Sequence, residues 1–343
     1  MKAAVFYGPD VGLKLEDIPV PKITPQQVLV QVKTCGICSG DVQRLKGEIK
    51  VKQVPRVLGH EPAGTVAEVG SEVQGFKPGD EVFLFATGCG ECYYCRIGKD
   101  NVCDKIADGF GLGRDGAYAE YVMAYPKELF KLPSGVPHEA GSVMTAPTGT
   151  AFHAIRLAQV GPGDTVAVYG TGCLGTQAIQ LLKIMGARVI AVDIVEEKLA
   201  MAQQLGAAVT INAREKDPVQ EVKKMTDGRG SDSAFDFAGL PKTLSQAIDS
   251  TRRGGKIMSV GSLAEPLNLS LSPFYDTGLA MTKEQSLMTV SHCSRADMAK
   301  LLEVTAIHKL DFHTGSVKVP LSEIHRGFEI KKHGTGFRVI VVP

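Results

Sequence analysis

The sequence predicts an α/β protein built from two unlike parts: a β-rich unit and a doubly wound parallel sheet with helices on both faces. Three observations carry this. Short runs in the first part of the chain, such as "QVLVQVKTC" and "AGTVAEVGSEV", alternate apolar and polar residues at period two between Gly and Pro breaks. From about residue 139 strand-like apolar runs alternate with helix-like segments. The chain has 343 residues, long for one globular unit, so two domains are the natural expectation.

Taken in order, "GDEVFLF" follows a Pro78-Gly79 turn and adds a further strand to the β-rich unit, which is expected to be barrel-like. A cysteine-rich loop interrupts it at 88–104. "HEAGSVMTAPTGTAFHAIRLAQV" is Ala-rich and helix-like and ends at "GPGD". "TVAVYG" then reads as a buried strand, "CLGTQAIQLLKIMG" as a helix closed by Gly186, "ARVIAVD" as a strand and "EEKLAMAQQLGA" as a helix. "SAFDFAG", "TLSQAIDSTRRGG" and "KIMSVGS" continue the series, which favours a parallel sheet. The tail returns to strand, helix and strand and is expected to rejoin the first part.

The apolar fraction of 44% and charged fraction of 22% are ordinary for a soluble protein, and a net charge of +1 gives no sign of a nucleic-acid or acidic-membrane partner. No apolar run reaches the ~20 residues that span a bilayer. "MKAAVFYGPDVG" lacks the apolar stretch of a secretory signal, so a cytoplasmic location is expected.

Gly170, Gly172 and Gly175 have the GxGxxG spacing, follow a strand, open a helix and precede a second strand that ends in Asp193. Gly170 permits the tight turn, Gly172 lets backbone approach a pyrophosphate, and Gly175 lets helix pack on strand. The helix start supplies free N–H groups for phosphate. Asp193 can accept from the adenosine ribose hydroxyls and would repel a 2′-phosphate, which favours NAD over NADP.

Cys89, Cys92, Cys95 and Cys103 follow one another as C-x2-C-x2-C-x7-C. Four thiolates on a short loop can close around a tetrahedral zinc, leaving no open position, so the site should be structural. An iron–sulfur cluster is the rival; disulfides are disfavoured by the spacing and by a reducing compartment. Elsewhere "TCGICSGDVQ" carries Cys35 and Cys38, and "PRVLGHEPAGTVAEVG" puts His60 beside Glu61. A thiolate, an imidazole and a carboxylate from two segments can bind one zinc and leave a position for water or substrate. On composition alone a His-Glu pair is more often an ordinary surface or hydrogen-bonded pair.

The combination of "CGICSGD", "GHEPAGTVAEVG", "GDEV", the four-cysteine lobe, "GTGCLG" and "VDIVEEKLAMAQQLGA" resembles the zinc-dependent medium-chain dehydrogenase/reductase family, to which alcohol, sorbitol and threonine dehydrogenases belong. The resemblance runs nearly end to end. It implies a GroES-like β-rich catalytic domain at 1–148 and 293–343, with its zinc lobe at 88–104, plus a Rossmann doubly wound parallel sheet at 149–292. It further implies Cys38, His60 and Glu61 around a catalytic zinc, Asp41 bracing the ligand histidine, and Cys35 as a buried thiol. Leu174, Asp193 and Lys198 should touch the dinucleotide, while Val260, Gly261, Ser262, Val290 and Ser291 should line its nicotinamide end. The expected cofactors are NAD and two Zn2+, one structural and one catalytic, in a homodimer or homotetramer that acts on a small alcohol or ketone.

Three departures stand out. The usual third ligand, Cys or Glu, aligns with Ala146. The hydroxyl that usually relays the substrate proton aligns with Gly40, and the His that often continues the relay aligns with Gln43. Ser39, Glu61, Thr148 and a zinc-bound water remain as proton-transfer candidates. The first reading is an NAD-dependent secondary alcohol or polyol dehydrogenase. A second is an oxidoreductase of a conjugated or CoA-linked substrate with little role for catalytic zinc, and a third is a nucleotide-sensing protein without enzymatic activity. Phe110, Leu112 and Phe274 could line a substrate pocket or pack the core.

Overall fold

The computed structural model describes residues 1–86, 88–106, 109–261, 271–272, 279–308, 310–334 and 338–343, with the side chains of 271–272 and 279–281 excepted; Ser262 and Phe274 lie outside the described residues. The chain divides into two compact units, one of Met1–Ala146 with Ser294–Pro343 and one of Pro147–Cys293.

The Pro147–Cys293 unit is organised on a parallel sheet of six strands in the order Val209–Asn212, Arg188–Asp193, Thr165–Tyr169, Ser231–Asp236, Thr251–Ser259 and Ser286–Thr289. Every residue of the Thr165–Tyr169 strand is buried, as its unbroken apolar run "TVAVY" requires of a strand covered on both faces. Helices Cys173–Ile184 and Glu196–Leu205 follow the first two strands in sequence. The order reverses between Thr165–Tyr169 and Ser231–Asp236, which opens a crevice at the carboxyl ends of these two strands.

Two stretches differ from the sequence reading. "HEAGSVMTAPTGTAFHAIRLAQV" is two helices, His138–Val143 and Gly149–Ala158, joined by a wide turn at Met144–Thr148. Pro147 has no N–H for the carbonyl of Val143 and crowds it, and Thr145 leaves helical geometry at φ −58°, ψ −107°. "TLSQAIDSTRRGG" divides internally, with helix Pro241–Ser250 ending where strand Thr251–Ser259 begins. The two glycines are therefore a bend within a strand, not a helix stop: Gly254 takes φ +67°.

In the other unit, a sheet runs in the order Ser316–Pro320, Arg338–Val342, Val28–Gly36, Pro62–Val69, Glu81–Leu84 and Leu129–Lys131, and Tyr121–Ala124 also pairs with Val28–Gly36. A second sheet joins Leu13–Asp17, Lys2–Phe6 and Arg56–Val57. The final strand lies antiparallel to Val28–Gly36, with Ile340 opposite Gly36 and Val341 opposite Cys35. Alternate residues Val28, Val30 and Val32 turn into one apolar core with Val82, Leu84, Phe110, Tyr118 and Phe328. Phe110 is thus a core residue. The register also carries the start of the last strand to the segment that ends in Cys38.

Candidate metal centres and dinucleotide edge

Cys38 precedes the short helix Ser39–Leu45, and the third residue of that helix, Asp41, accepts a hydrogen bond from the Cys38 backbone N–H at 3.2 Å. Asp41 is fully buried and also accepts from the Tyr118 hydroxyl at 2.8 Å and from Arg44 Nη1 at 3.3 Å. His60 Nδ1 lies 3.4 Å from Asp41 Oδ1. With Nδ1 turned to Asp41, Nε2 is the nitrogen left for a metal. Burial alone would raise the Asp41 pKa, but His60, Arg44 and the Tyr118 hydrogen bond outweigh it and hold the group ionised.

Cys38 and His60 answer each other electrostatically. Burial opposes the charged form of both. The hydrogen bond and charge of His60 nevertheless lower Cys38 to about 7, and Asp41 together with Cys38 raises His60 to about 10. Without metal the pair is a thiolate–imidazolium. Cys35, by contrast, is fully buried and pushed well above its ordinary value by burial and the Asp41 charge, so it stays a thiol.

Glu61 completes the group: one donor atom each from Cys38, His60 and Glu61 lies within 4.8 Å of the others. Its carboxylate meets the Arg338 guanidinium, which comes from the last strand, and both side chains are almost wholly buried. The ion pair presses on Gly36, where a Cβ would stand 2.0 Å from Arg338 Nη2 and 2.5 Å from Glu61 Oε2. Glu61 Oε1 remains buried without a hydrogen-bond partner among the described residues. An orphaned carboxylate oxygen is costly unless a cation or donor meets it. A mixed sulfur, nitrogen and oxygen set around such an oxygen fits zinc with an open position.

The second cluster is built differently. The Sγ atoms of Cys89, Cys92, Cys95 and Cys103 lie within 4.8 Å of one another. Individual separations are 3.5 Å for Cys92–Cys95, 3.8 Å for Cys92–Cys103 and 3.9 Å for Cys89–Cys95. Four thiolates at the ordinary zinc–sulfur distance stand about 3.8 Å apart, whereas a disulfide needs about 2.05 Å. Backbone N–H groups of Glu91 and Cys92 point at Cys89 Sγ, each at 3.4 Å, and those of Cys89 and Lys105 point at Cys103 Sγ, each at 3.2 Å. These donors lower Cys89 to about 6, while burial and the neighbouring thiols raise Cys95 to about 12. The geometry fits a closed metal site.

At the dinucleotide edge, Gly170 takes φ +88° against Ala238, and a Cβ on Gly175 would stand 2.0 Å from the Gly170 carbonyl oxygen. A Cβ on Gly172 would meet nothing within 4 Å, so the space beside it is open. Gly170, Asp193, Val260 and Val290 stand at the carboxyl ends of four parallel strands, and Gly261 and Ser291 follow the last two. Leu174 and Lys198 sit in the first turns of the two helices after Gly172 and Val195. Asp193 is more heavily engaged than the sequence suggests. Its Oδ2 accepts from Thr171 N at 2.8 Å and Thr171 Oγ1 at 3.1 Å, and its Oδ1 accepts from the N–H groups of Ile194 and Val195 at 2.7 and 3.1 Å. Thr171 was missed because it is one of the variable letters of GxGxxG. Arg44, Tyr118 and Arg338 were missed because no local pattern links them to Cys38 or His60.

Comparison with known proteins follows the same division. A family profile described as an alcohol dehydrogenase GroES-like domain matches residues 24–134, and one described as a zinc-binding dehydrogenase matches 173–306. An NAD-dependent alcohol dehydrogenase of Sulfurisphaera tokodaii is 42% identical over 262 residues, covering 73% of this chain and 75% of that one. A sorbitol dehydrogenase of Bacillus subtilis is 36% identical over 277 residues, covering 78% of each. Among solved structures, galactitol-1-phosphate dehydrogenase from Escherichia coli superposes with a TM-score of 0.90 at 28% identity, covering 100% of both chains.

Proposed function

From the premise that this chain belongs to the zinc-dependent medium-chain dehydrogenase/reductase family, we propose that it is a zinc- and NAD-dependent oxidoreductase that interconverts a secondary alcohol or polyol and its ketone. The observation that carries the reading is the buried meeting of Cys38, His60 and Glu61, with both Glu61 oxygens lacking a hydrogen bond among the described residues and only Oε2 facing Arg338. Relatives named for NAD-dependent alcohol and sorbitol oxidation support it.

Cys38, His60 and Glu61 would hold the catalytic ion, and Cys89, Cys92, Cys95 and Cys103 the structural one. A zinc ion at the first site supplies Lewis acidity toward the carbinol oxygen, lowering the cost of removing its proton. The chain's own residues set that site. Asp41 keeps the Nδ1 proton on His60 and so presents Nε2 as the ligand. Arg338 pairs with the Glu61 carboxylate, which is also one of the three donors of the cluster. Position 40 has no hydroxyl to pass the carbinol proton on, which leaves Glu61 and the exposed Ser39 as acceptors in this unit. Bound NAD would supply the hydride acceptor. Gly170, Gly172, Leu174 and Gly175 would take its pyrophosphate, Asp193 and Lys198 its adenosine ribose, and Val260, Gly261, Val290 and Ser291 its nicotinamide end. None of the eight cysteines is disulfide-bonded, and the protein would work in the cytoplasm as a homodimer or homotetramer. Among the described residues no helix is long and apolar enough to cross a membrane.

Metal analysis with an NAD-coupled screen of secondary alcohols and polyols tests the whole reading. Two zinc per chain and alcohol-dependent NADH formation are expected, and one zinc with no turnover would overturn it. Asp193→Ala should shift the NAD-over-NADP preference by about tenfold or more, since a charged hydrogen bond contributes ~1.5–3 kcal/mol. The ratio is the informative quantity, because loosening Thr171 affects both dinucleotides alike. An unmoved ratio would remove Asp193 from the ribose.

A further inference from the structure

We propose that Arg44 is a specificity-determining residue that selects hydroxy substrates carrying an anionic group, carboxylate or phosphate, close to the carbinol. The proposal rests on the Cys38–His60–Glu61 reading above.

Gly40 locates the guanidinium. A Cβ built on Gly40 would stand 3.1 Å from Arg44 Nη1 and 3.8 Å from Cys38 Sγ. The cation and the metal-binding thiolate therefore border the same small space, which is open only because residue 40 has no side chain. Arg44 is 15% exposed, enough to be reached and little enough to be weakly screened. Among the described residues its guanidinium has one partner, Asp41, through Nη1. Its other donors are left for a ligand, and their planar fork matches a carboxylate or phosphate.

Charge points the same way. Cys38 and Glu61 bring one negative charge each to the cluster, and Asp41 brings a third. Arg338 and Arg44 bring one positive charge each. With a divalent ion and a neutral His60 the assembly keeps one net positive charge, since the two anionic donors balance the ion and Asp41 balances only one of the two arginines. Buried charge is stabilised by a close opposite charge. A substrate with its own anionic oxygen supplies that charge on binding, whereas a neutral alcohol does so only once it has lost its proton.

The test uses tertiary carbinols, which have no hydrogen to transfer and so report binding alone. The probes are 2-hydroxy-2-methylpropanoate, 2-hydroxy-2-methylpropyl phosphate and the neutral 2-hydroxy-2-methylpropanamide. Binding is measured by calorimetry on the zinc-loaded protein. One of the anions should bind about tenfold or more tighter than the amide, the usual scale of a charge-assisted hydrogen bond, and which one does so assigns carboxylate or phosphate. Arg44→Gln should bring that ratio close to one, and Arg44→Lys should keep part of it. Gly40→Ala should lower the ratio less than Arg44→Gln does, because its methyl, 3.1 Å from Nη1, makes the guanidinium give way slightly without removing it. A residue that merely braced Asp41 would weaken anion and amide alike. No anion preference in the native protein, or a preference that survives Arg44→Gln, would overturn the proposal. A metal count of one per chain would sink the reading of the Cys38 cluster on its own, and the anion-to-amide ratio would still decide the role of Arg44.

Discussion

The two proposed metal clusters of this chain reach similar donor spacings by opposite means. The Cys89–Cys103 lobe draws four identical donors from fifteen consecutive residues and turns backbone N–H groups toward its sulfurs. The Cys38 cluster draws three unlike donors from two segments and fixes them with side chains from elsewhere: Asp41 and Tyr118 behind His60, Arg338 against Glu61. A closed shell of four thiolates has nothing to offer a substrate, and local sequence suffices to build it. An incomplete shell keeps a position for chemistry and must be held open by the surrounding fold. The contrast separates a site that stabilises from a site that reacts.

Breaking the reactive cluster should have the largest effect. His60→Ala or Cys38→Ser should remove one metal per chain and lower turnover by about a thousandfold or more, a barrier change of ~4 kcal/mol, while NAD still binds. Atomic absorption, a coupled assay and a dinucleotide titration read the three outcomes. Turnover that persists in either variant would mean that these side chains do not hold the reacting metal. Breaking the lobe should reverse the pattern. Cys95→Ser should also remove one metal, yet its main cost should be a fall of several degrees in unfolding temperature, each kcal/mol being worth about 2–4 °C in domains of roughly 150–250 residues. A thousandfold loss of turnover at unchanged unfolding temperature would erase the distinction between the two clusters.

A smaller change sharpens the comparison within the reactive site. Asp41→Asn removes the charge that orients His60 and should weaken metal binding there by about 10–100-fold, leaving the lobe metal in place. Tyr118→Phe removes one neutral donor from Asp41 and should cost only about 1 kcal/mol. Competition against a chelator of known affinity measures both. Equal losses from the two variants would mean that Asp41 acts by packing rather than by charge.

How much of this could be read from sequence follows from the same contrast. The lobe, the GxGxxG turn and the alternating strands and helices are local patterns, and each was legible because neighbouring residues do the work. Cys38, His60 and Glu61 were legible only through their flanking motifs, since composition alone leaves a His-Glu pair ambiguous. Of the supports, Asp41 was legible through the same motifs, whereas Tyr118 and Arg338 were not. Tyr118 is 77 residues from Asp41, and Arg338 reaches Glu61 only because the last strand pairs with Val28–Gly36 in one register. The break at Met144–Thr148 was hidden because an Ala-rich helical pattern continues on both sides of Pro147.

The finest prediction concerns protons. A metal ion and a proton compete for His60 Nε2 and Cys38 Sγ, so acid must weaken binding at the reactive cluster. The size of that linkage follows from the free protein, where His60 is raised to about 10 and Cys38 lowered to about 7. Between these values the thiolate is already formed and the imidazolium is not yet neutral, so zinc should displace about one proton, and its affinity should rise about tenfold per pH unit. Below pH 7 the thiol also holds its proton, two are displaced, and the dependence steepens; above pH 10 it should flatten. Asp41→Asn removes the main force holding the proton on His60, so the imidazole should lose its proton at lower pH, while Cys38, without a cationic neighbour, should keep its own to higher pH. Titrating zinc into protein whose lobe is already loaded, in two buffers of different ionisation enthalpy near pH 8.5, counts the protons directly. A count of zero would show that His60 is neutral before metal arrives, and the Asp41–His60–Cys38 chain would then be geometric support without electrostatic consequence.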